Sequence, residues 1–137
     1  MKRIVVGISG ASGTHLACRF IGQLKQYTEC EVHVVVTDSG RLTASYEEPE
    51  FFDKALALAD CVHSNASLGE SIASGTFKTE GMVIVPCSMK TVAGIASGYS
   101  DNLLLRAADV TLKEQRPLVL VARETPMNAI HLRNLAQ

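Results

Sequence analysis

The sequence predicts a doubly wound α/β fold, a parallel sheet covered on both faces by helices in three layers. Two observations lead there. Short, β-branched, nearly uncharged runs recur at Ile4–Ile8, Val32–Val36, Met82–Val85 and Leu118–Val121, as in parallel strands buried on both faces. Between them lie stretches long enough for crossover helices, so strands and helices alternate with no internal repeat. Composition agrees: 47% of residues are hydrophobic, only 5% are aromatic and Trp is absent. A core of that kind is built from Val, Ile, Leu and Ala.

Each element can be justified in order. The first strand spans about residues 3–8 and runs into Ser9-Gly10-Ala11-Ser12-Gly13, a small turn that opens a helix at about 12–26. The second strand is Glu31-Val32-His33-Val34-Val35-Val36. Thr37-Asp38-Ser39-Gly40 follows as a turn rich in N-cap residues, with a helix beginning near Arg41. Residues 46–78 are the least regular: Glu47-Glu48-Pro49-Glu50, an Ala/Leu-rich piece at 53–60, then Ser, Asn and Gly punctuation. They predict a long excursion with short helices, the kind of loop that carries function. A third strand at 82–86 leads through Pro86-Cys87-Ser88 to a helix at about 89–97, broken by Gly98-Tyr99-Ser100-Asp101. Asp101 or Asn102 caps the next helix, to about 115; Pro117–Val121 is the fourth strand, and Pro126 starts a helix that runs to Gln137. No linker or low-complexity segment divides the 137 residues, so one domain spans 1–137.

Charge excludes some functions. With 13 basic and 14 acidic residues, net charge −1, neither a nucleic-acid surface nor a membrane-binding one is implied. No apolar run approaches the ~20 residues of a membrane span, and Met1-Lys2-Arg3 leads into a strand, which makes the cytoplasm the expected compartment. Cys18, Cys30, Cys61 and Cys87 contain no C-x-x-C spacing, so free thiols are expected and no metal site. Cys61 and His63 could be two ligands, but nothing nearby in sequence completes a set. Cys87 reads as a small buried thiol.

The chemistry concentrates in two turns. Gly10-Ala11-Ser12-Gly13 and Ser88-Met89-Lys90-Thr91 each sit where a strand hands over to a helix. Backbone N–H groups at a helix start are free for an anion. Two such turns at one end of a sheet make a phosphate site with room for a ring beside it, and so point to a nucleotide or a flavin.

An ordered set of segments then becomes specific. To those turns are added Gly98-Tyr99-Ser100-Asp101-Asn102-Leu103, Arg106 to Glu114, Arg116 to Glu124, and Thr125-Pro126-Met127-Asn128 to His131-Leu132. Together they cover nearly the whole chain, which resembles the UbiX-type flavin prenyltransferases, part of a flavoprotein group that includes peptidyl-cysteine decarboxylases. The resemblance implies a flavodoxin-like, Rossmann-like three-layer fold and transfer of a dimethylallyl group from dimethylallyl phosphate to reduced FMN. The product, prenylated FMN, would serve a UbiD-type decarboxylase partner. Two alternatives stand beside it: a flavin-dependent peptidyl-cysteine decarboxylase, which shares a signature like Pro126-Met127-Asn128, and a non-catalytic FMN carrier. The segment from Arg106 to Lys113 favours the prenyltransferase.

The same resemblance assigns roles. Gly10, Ala11 and Ser12 would approach the flavin phosphate, with Ser12 also relaying a proton from flavin N5. Thr37, Ser88, Met89, Lys90, Thr91 and Arg123 match cofactor contacts, although Thr37 reads almost equally well as a plain N-cap. Arg106 and Lys113, two helical turns apart, match the residues that hold the substrate phosphate, although a solvated helix face would look the same. Glu47 and Glu124 match acid–base carboxylates, expected to have a pKa raised toward working pH by an apolar pocket. The reaction needs no metal. The family forms closed homo-oligomers with sites between subunits, so trimers or larger assemblies are expected. Two departures stand out: Ala122 replaces a usual proline, and family members continue beyond Gln137 with a strand, a tyrosine and an arginine that help hold the phosphate. FMN binding with weak or absent prenyl transfer is the expectation for the 137 residues alone.

Overall fold

Five short strands form one parallel sheet: β1 (Arg3–Ile8), β2 (Glu31–Val36), β3 (Cys61–Ser64), β4 (Gly81–Cys87) and β5 (Leu118–Ala122). The structure is a computed structural model describing residues 1–137. Spatial order is β3-β2-β1-β4-β5. The chain therefore winds outward from β1 in one direction and then, after β3, in the other. The reversal lies between β1 and β4, where open α/β sheets place their ligands outside the carboxyl ends of the strands.

Six helices cover the sheet: α1 (Thr14–Tyr27), α2 (Asp38–Glu47), α3 (Pro49–Leu58), α4 (Met89–Ser97), α5 (Leu103–Lys113) and α6 (Ala129–Ala136). Alternation along the strands makes two cores. Val6 and Ile8 of β1 face Ile21 of α1 and Phe52 of α3. Val5 of the same strand faces the opposite way, toward Leu104 of α5 and Val92 of α4. Each such side chain, fully buried, contributes on the order of 1.5–3 kcal/mol. Helix packing is close enough that a Cβ on Gly7 would lie 3.0 Å from Leu104 Cδ1.

The structure departs from the sequence expectations at three elements. The excursion over 46–78 contains a fifth strand, β3, besides the helix α3 and a single 3-10 turn at Ser71–Ala73. Its four residues, Cys61-Val62-His63-Ser64, hold too few apolar positions to stand out, and it pairs only with β2 at the sheet edge. The helix expected near Arg41 begins three residues earlier, because the Thr37 hydroxyl caps it by accepting from Gly40 N at 2.9 Å. The final helix begins at Ala129 and not at Pro126. Asn128 Oδ1 accepts from His131 N at 2.8 Å while the His131 ring accepts from Asn128 N, a capping box that fixes the start there.

The β5 end of the molecule is thinly covered. Val119 and Val121 of β5 are exposed, as are Ile130, Leu132 and Leu135 of α6, a helix with no buried residue. No helix is long and apolar enough to cross a membrane.

Candidate functional site

The carboxyl ends of β1 and β4 are tied together by one buried hydroxyl. Ser9, 1% exposed, donates its O–H to Pro86 O at 2.8 Å and accepts from Ser88 N at 2.7 Å. The turn after β1 and the turn after β4 are thereby held as one unit. Close backbone approach does the same between β1 and α2. A Cβ on Gly40 would lie 2.7 Å from Ile8 O, and one on Gly10 would lie 2.6 Å from Ser39 Cβ. Small residues are required at both positions.

Two helix starts open beside this junction. Thr37 caps α2, and Ser88 caps α4 by accepting from Thr91 N at 3.3 Å. In each case the cap side chain serves the third amide of the helix, which leaves the Asp38 and Ser39 amides, and those of Met89 and Lys90, for a ligand. Both starts border a cavity of about 630 Å³ whose wall includes Gly10, Thr37, Arg41, Ser88, Lys90 and Thr91. Asn65, Tyr99 and Asn102 close it from the β3 and α5 side. Hydroxyls, two cations and two positive helix ends around one space suit a phosphate ester. Met89 contributes backbone alone, because its side chain is buried in the α4–α5 core.

A second cleft, about 330 Å³, gathers Ser12, Glu47 and Arg123 with Pro86 and Ala122. The sequence separates these three widely; α1, α2 and the end of β5 bring them together. Glu47 corrects an expectation. Its carboxylate accepts from Thr14 Oγ1 at 2.7 Å, Thr14 N at 3.2 Å and Gly13 N at 3.3 Å. The Thr14 hydroxyl above all, then those amides, hold its pKa below the ordinary carboxylate value, not above it. Glu47 is an ionised cap on α1, and it fills the Gly13 and Thr14 amides that follow the Gly10-Ala11-Ser12 stretch expected to serve a phosphate. Ala11 lies half-buried in the intervening turn and lines neither space.

The remaining candidates lie apart. Glu124 is exposed and accepts from its neighbour Thr125 N at 3.1 Å. Arg106 pairs with Asp109 and Lys113 with Glu114, each at 3.2 Å. Helix α5 keeps the two cations on one face, about 10 Å apart along its axis. Lys113 ends the helix beside Gly75, near the amino ends of the strands, and this chain's own cavity does not receive it. Cys87 is fully buried, and burial pushes its thiol up to about 12, so it is inert. Sequence reading missed Ser9 and Arg41; the only signal for Ser9 was a hydroxyl at the last turn of an otherwise apolar strand.

The Flavoprotein family profile matches residues 1–137. A flavin prenyltransferase of Lactiplantibacillus plantarum, LpdB, is 53% identical over 137 residues, covering 100% of this chain and 73% of that protein. The chain belongs to the UbiX-type flavin prenyltransferase family. A crystal structure of a dodecameric FMN-dependent UbiX-like decarboxylase from Escherichia coli O157:H7 superposes with TM-score 0.94 at 44% identity, over 98% of this chain and 73% of that one. AnUbiX (PadA1), solved in complex with FMN and dimethylallyl pyrophosphate, also gives 0.94, at 45% identity and with coverage of 98% and 71%. The flavodoxin-like, doubly wound fold read from the sequence is thus that of UbiX-type proteins. The peptidyl-cysteine decarboxylase EpiD, at 18% identity and TM-score 0.71, shares the fold alone.

Proposed function

We propose that this chain transfers a dimethylallyl group from dimethylallyl phosphate to reduced FMN, making prenylated FMN for a UbiD-type decarboxylase. The observation that carries the reading is the pair of capped helix starts, α2 and α4, converging on one cavity with amides to spare. The identity to LpdB and the solved AnUbiX complex support it. That complex holds the pyrophosphate and this reading takes the monophosphate; the two share the allyl group and an anionic leaving group.

The residues fit FMN. The α2 and α4 starts, with the hydroxyls of Thr37, Ser88 and Thr91 and the cation of Lys90, would hold its phosphate. Gly10 keeps the wall between turns thin enough for close approach. When bound, reduced FMN supplies the N5 and C6 atoms at which the new ring closes. Ser12, in the smaller cleft, is the hydroxyl that would relay the N5 proton outward. Arg123 offers two parallel N–H donors to a ring carbonyl or to the leaving phosphate. Neutralising that phosphate while excluding water is the main catalytic demand, since the allyl group departs as a cation.

Arg106 and Lys113 are assigned to the leaving phosphate at a neighbouring copy's site, and Glu124 to proton transfer there. The exposed apolar residues of β5 and α6 support a homo-oligomer of three or more copies. Their ion pairs with Asp109 and Glu114 are partly exposed and weak, so a phosphate can displace them. We place the protein in the cytoplasm, where its four free cysteines remain reduced.

Anaerobic incubation with reduced FMN and either allyl donor, followed by mass analysis of the flavin, tests the reading. A product heavier by one dimethylallyl unit is expected. Oxidative decarboxylation of a peptide ending in cysteine would replace it with the decarboxylase reading. Saturable FMN binding with neither product would make the chain a carrier.

A further inference from the structure

A cluster on the edge strand takes no part in the flavin site. His33 of β2 and His63 of β3 lie on the sheet face covered by α5, only 6% and 3% exposed. Parallel register sets Cys61 beside His33 and His63 beside Val35. His33 Nδ1 stands 2.9 Å from His63 Nε2, with the ring planes 19° apart. The outer nitrogens meet carboxylates: His33 Nε2 with Glu31 Oε1 at 2.5 Å, and His63 Nδ1 with Glu70 Oε2 at 3.2 Å.

Counting protons shows what this geometry demands. An ionised carboxylate only accepts, so each outer nitrogen carries its ring's N–H. In a neutral imidazole the other nitrogen is then bare. Two bare lone pairs face each other across 2.9 Å, in a site nearly closed to water. Only a cation between them makes the arrangement favourable. A proton is the smallest such cation. A metal ion is the other, and a further ligand stands ready for it: the Cys61 sulfur and one nitrogen from each ring all lie within 4.8 Å of one another.

We propose that His33, His63 and Cys61 form a structural binding site for a thiophilic divalent cation of the Zn(II) class, separate from the flavin cavity. The two carboxylates act as outer partners. A histidine ligand that donates its free N–H to a carboxylate is fixed in tautomer and orientation, the usual arrangement behind a metal. Zn–N bonds of about 2.0–2.1 Å in a tetrahedron set the two nitrogens about 3.3 Å apart. The rings need to part by a few tenths of an ångström and to turn toward the Cys61 sulfur, which lies 3.9 Å from His63 Nδ1. Cys61 is half-buried at the sheet edge, which gives the ion a route in and leaves a fourth position for water.

Charge balances without further groups. A dication with one thiolate is flanked by Glu31 and Glu70, and Arg3 Nε stands 3.5 Å from Glu31. Binding releases the Cys61 thiol proton to solvent, together with any proton held between the rings. The consequence is mechanical. β3 is four residues long and its continuation, Ser64-Asn65-Ala66, lines the larger cavity. An ion bridging β2 and β3 would pin that wall.

The full chain, stripped with chelator and titrated with Co(II), provides the test. One Co(II) per chain is expected, with a tetrahedral spectrum and a thiolate-to-metal charge-transfer band that Zn(II) abolishes by displacement. Cys61→Ser should lose that band and bind at least tenfold more weakly while still binding FMN, which reports that it folds. Glu70→Gln should weaken binding by about 10–100-fold. Failure of the folded chain to bind Co(II) or Zn(II) stoichiometrically would overturn the proposal and leave a shared proton as the cation in the gap. A spectrum unchanged by Cys61→Ser would overturn it equally.

Discussion

Ser9 does more for the site than its size suggests. Its hydroxyl donates to Pro86 O and accepts from Ser88 N, so replacing it strips a half-buried amide of its side-chain partner. Leaving such a group unsatisfied costs about 1–3 kcal/mol. Ser9→Ala is expected to lower Tm by several degrees and to weaken FMN binding several-fold, because Ser88 begins the α4 start. Thermal denaturation with and without flavin measures both; an unchanged flavin affinity would show that the turn holds its shape without Ser9. Glu47 makes the complementary point about charge. Its folded pKa lies below the unfolded value near 4.3–4.5, so its stabilisation is present above that value. It is lost as pH falls through the depressed folded value. Removing a cap of this kind costs about 0.5–2 kcal/mol, and exposure of Glu47 argues for the lower half. Glu47→Ala should therefore be less stable than the parent at pH 7, with the difference shrinking as pH falls below the ordinary carboxylate value. A Tm gap that stays constant from pH 7 to pH 3 would mean that the carboxylate charge contributes nothing.

At the scale of elements, the loop after β3 joins the edge strand to the helix over the opposite core. Asn65 O accepts from Leu103 N at 2.9 Å and Asn65 Oδ1 from Leu104 N at 2.8 Å, so one residue satisfies two amides at the start of α5. Asn102 caps the third, that of Leu105. Asn65→Ala should destabilise the chain by about 1–2 kcal/mol, read as a lower denaturant midpoint with unchanged slope. An unaltered midpoint would show that water takes over the Leu104 amide. The same stretch shows where sequence reading stops. Strands β1, β2, β4 and β5 announce themselves through continuous Val, Ile and Leu runs, as do the caps Thr37 and Asn102 through residue type. Cys61-Val62-His63-Ser64 has one aliphatic residue, and its strand character comes from pairing with β2 and from His63 meeting His33. Partners thirty positions apart are invisible to local pattern. Glu47 failed for the same reason: its sequence neighbours are acidic and solvated, while the groups that set its pKa are Thr14 and Gly13 on another helix.

At the scale of the whole molecule, the placement of cations and the uncovered end of the sheet bear on one question. Ser12 and Arg123 share a cleft at the carboxyl ends of the strands, whereas Lys113 sits near the amino ends, beside Gly75. No side chain reaches across that span. If Lys113 acts on the leaving phosphate, it acts on a neighbour's, and each site is built from at least two copies. Light scattering should then find a closed assembly of three or more chains, consistent with the exposed Val119, Val121, Ile130 and Leu132 seeking cover. Subunit mixing gives the sharper measurement. Ser12→Ala and Lys113→Ala are each expected to lose most prenyl transfer while retaining FMN binding. Co-assembled in equal amounts, they should recover roughly a quarter of the parent activity, since random pairing restores both groups to that share of interfacial sites. Activity no higher than the mean of the two variants, in assemblies shown by mass to be mixed, would place Ser12 and Lys113 in the same chain's site and require α5 to move.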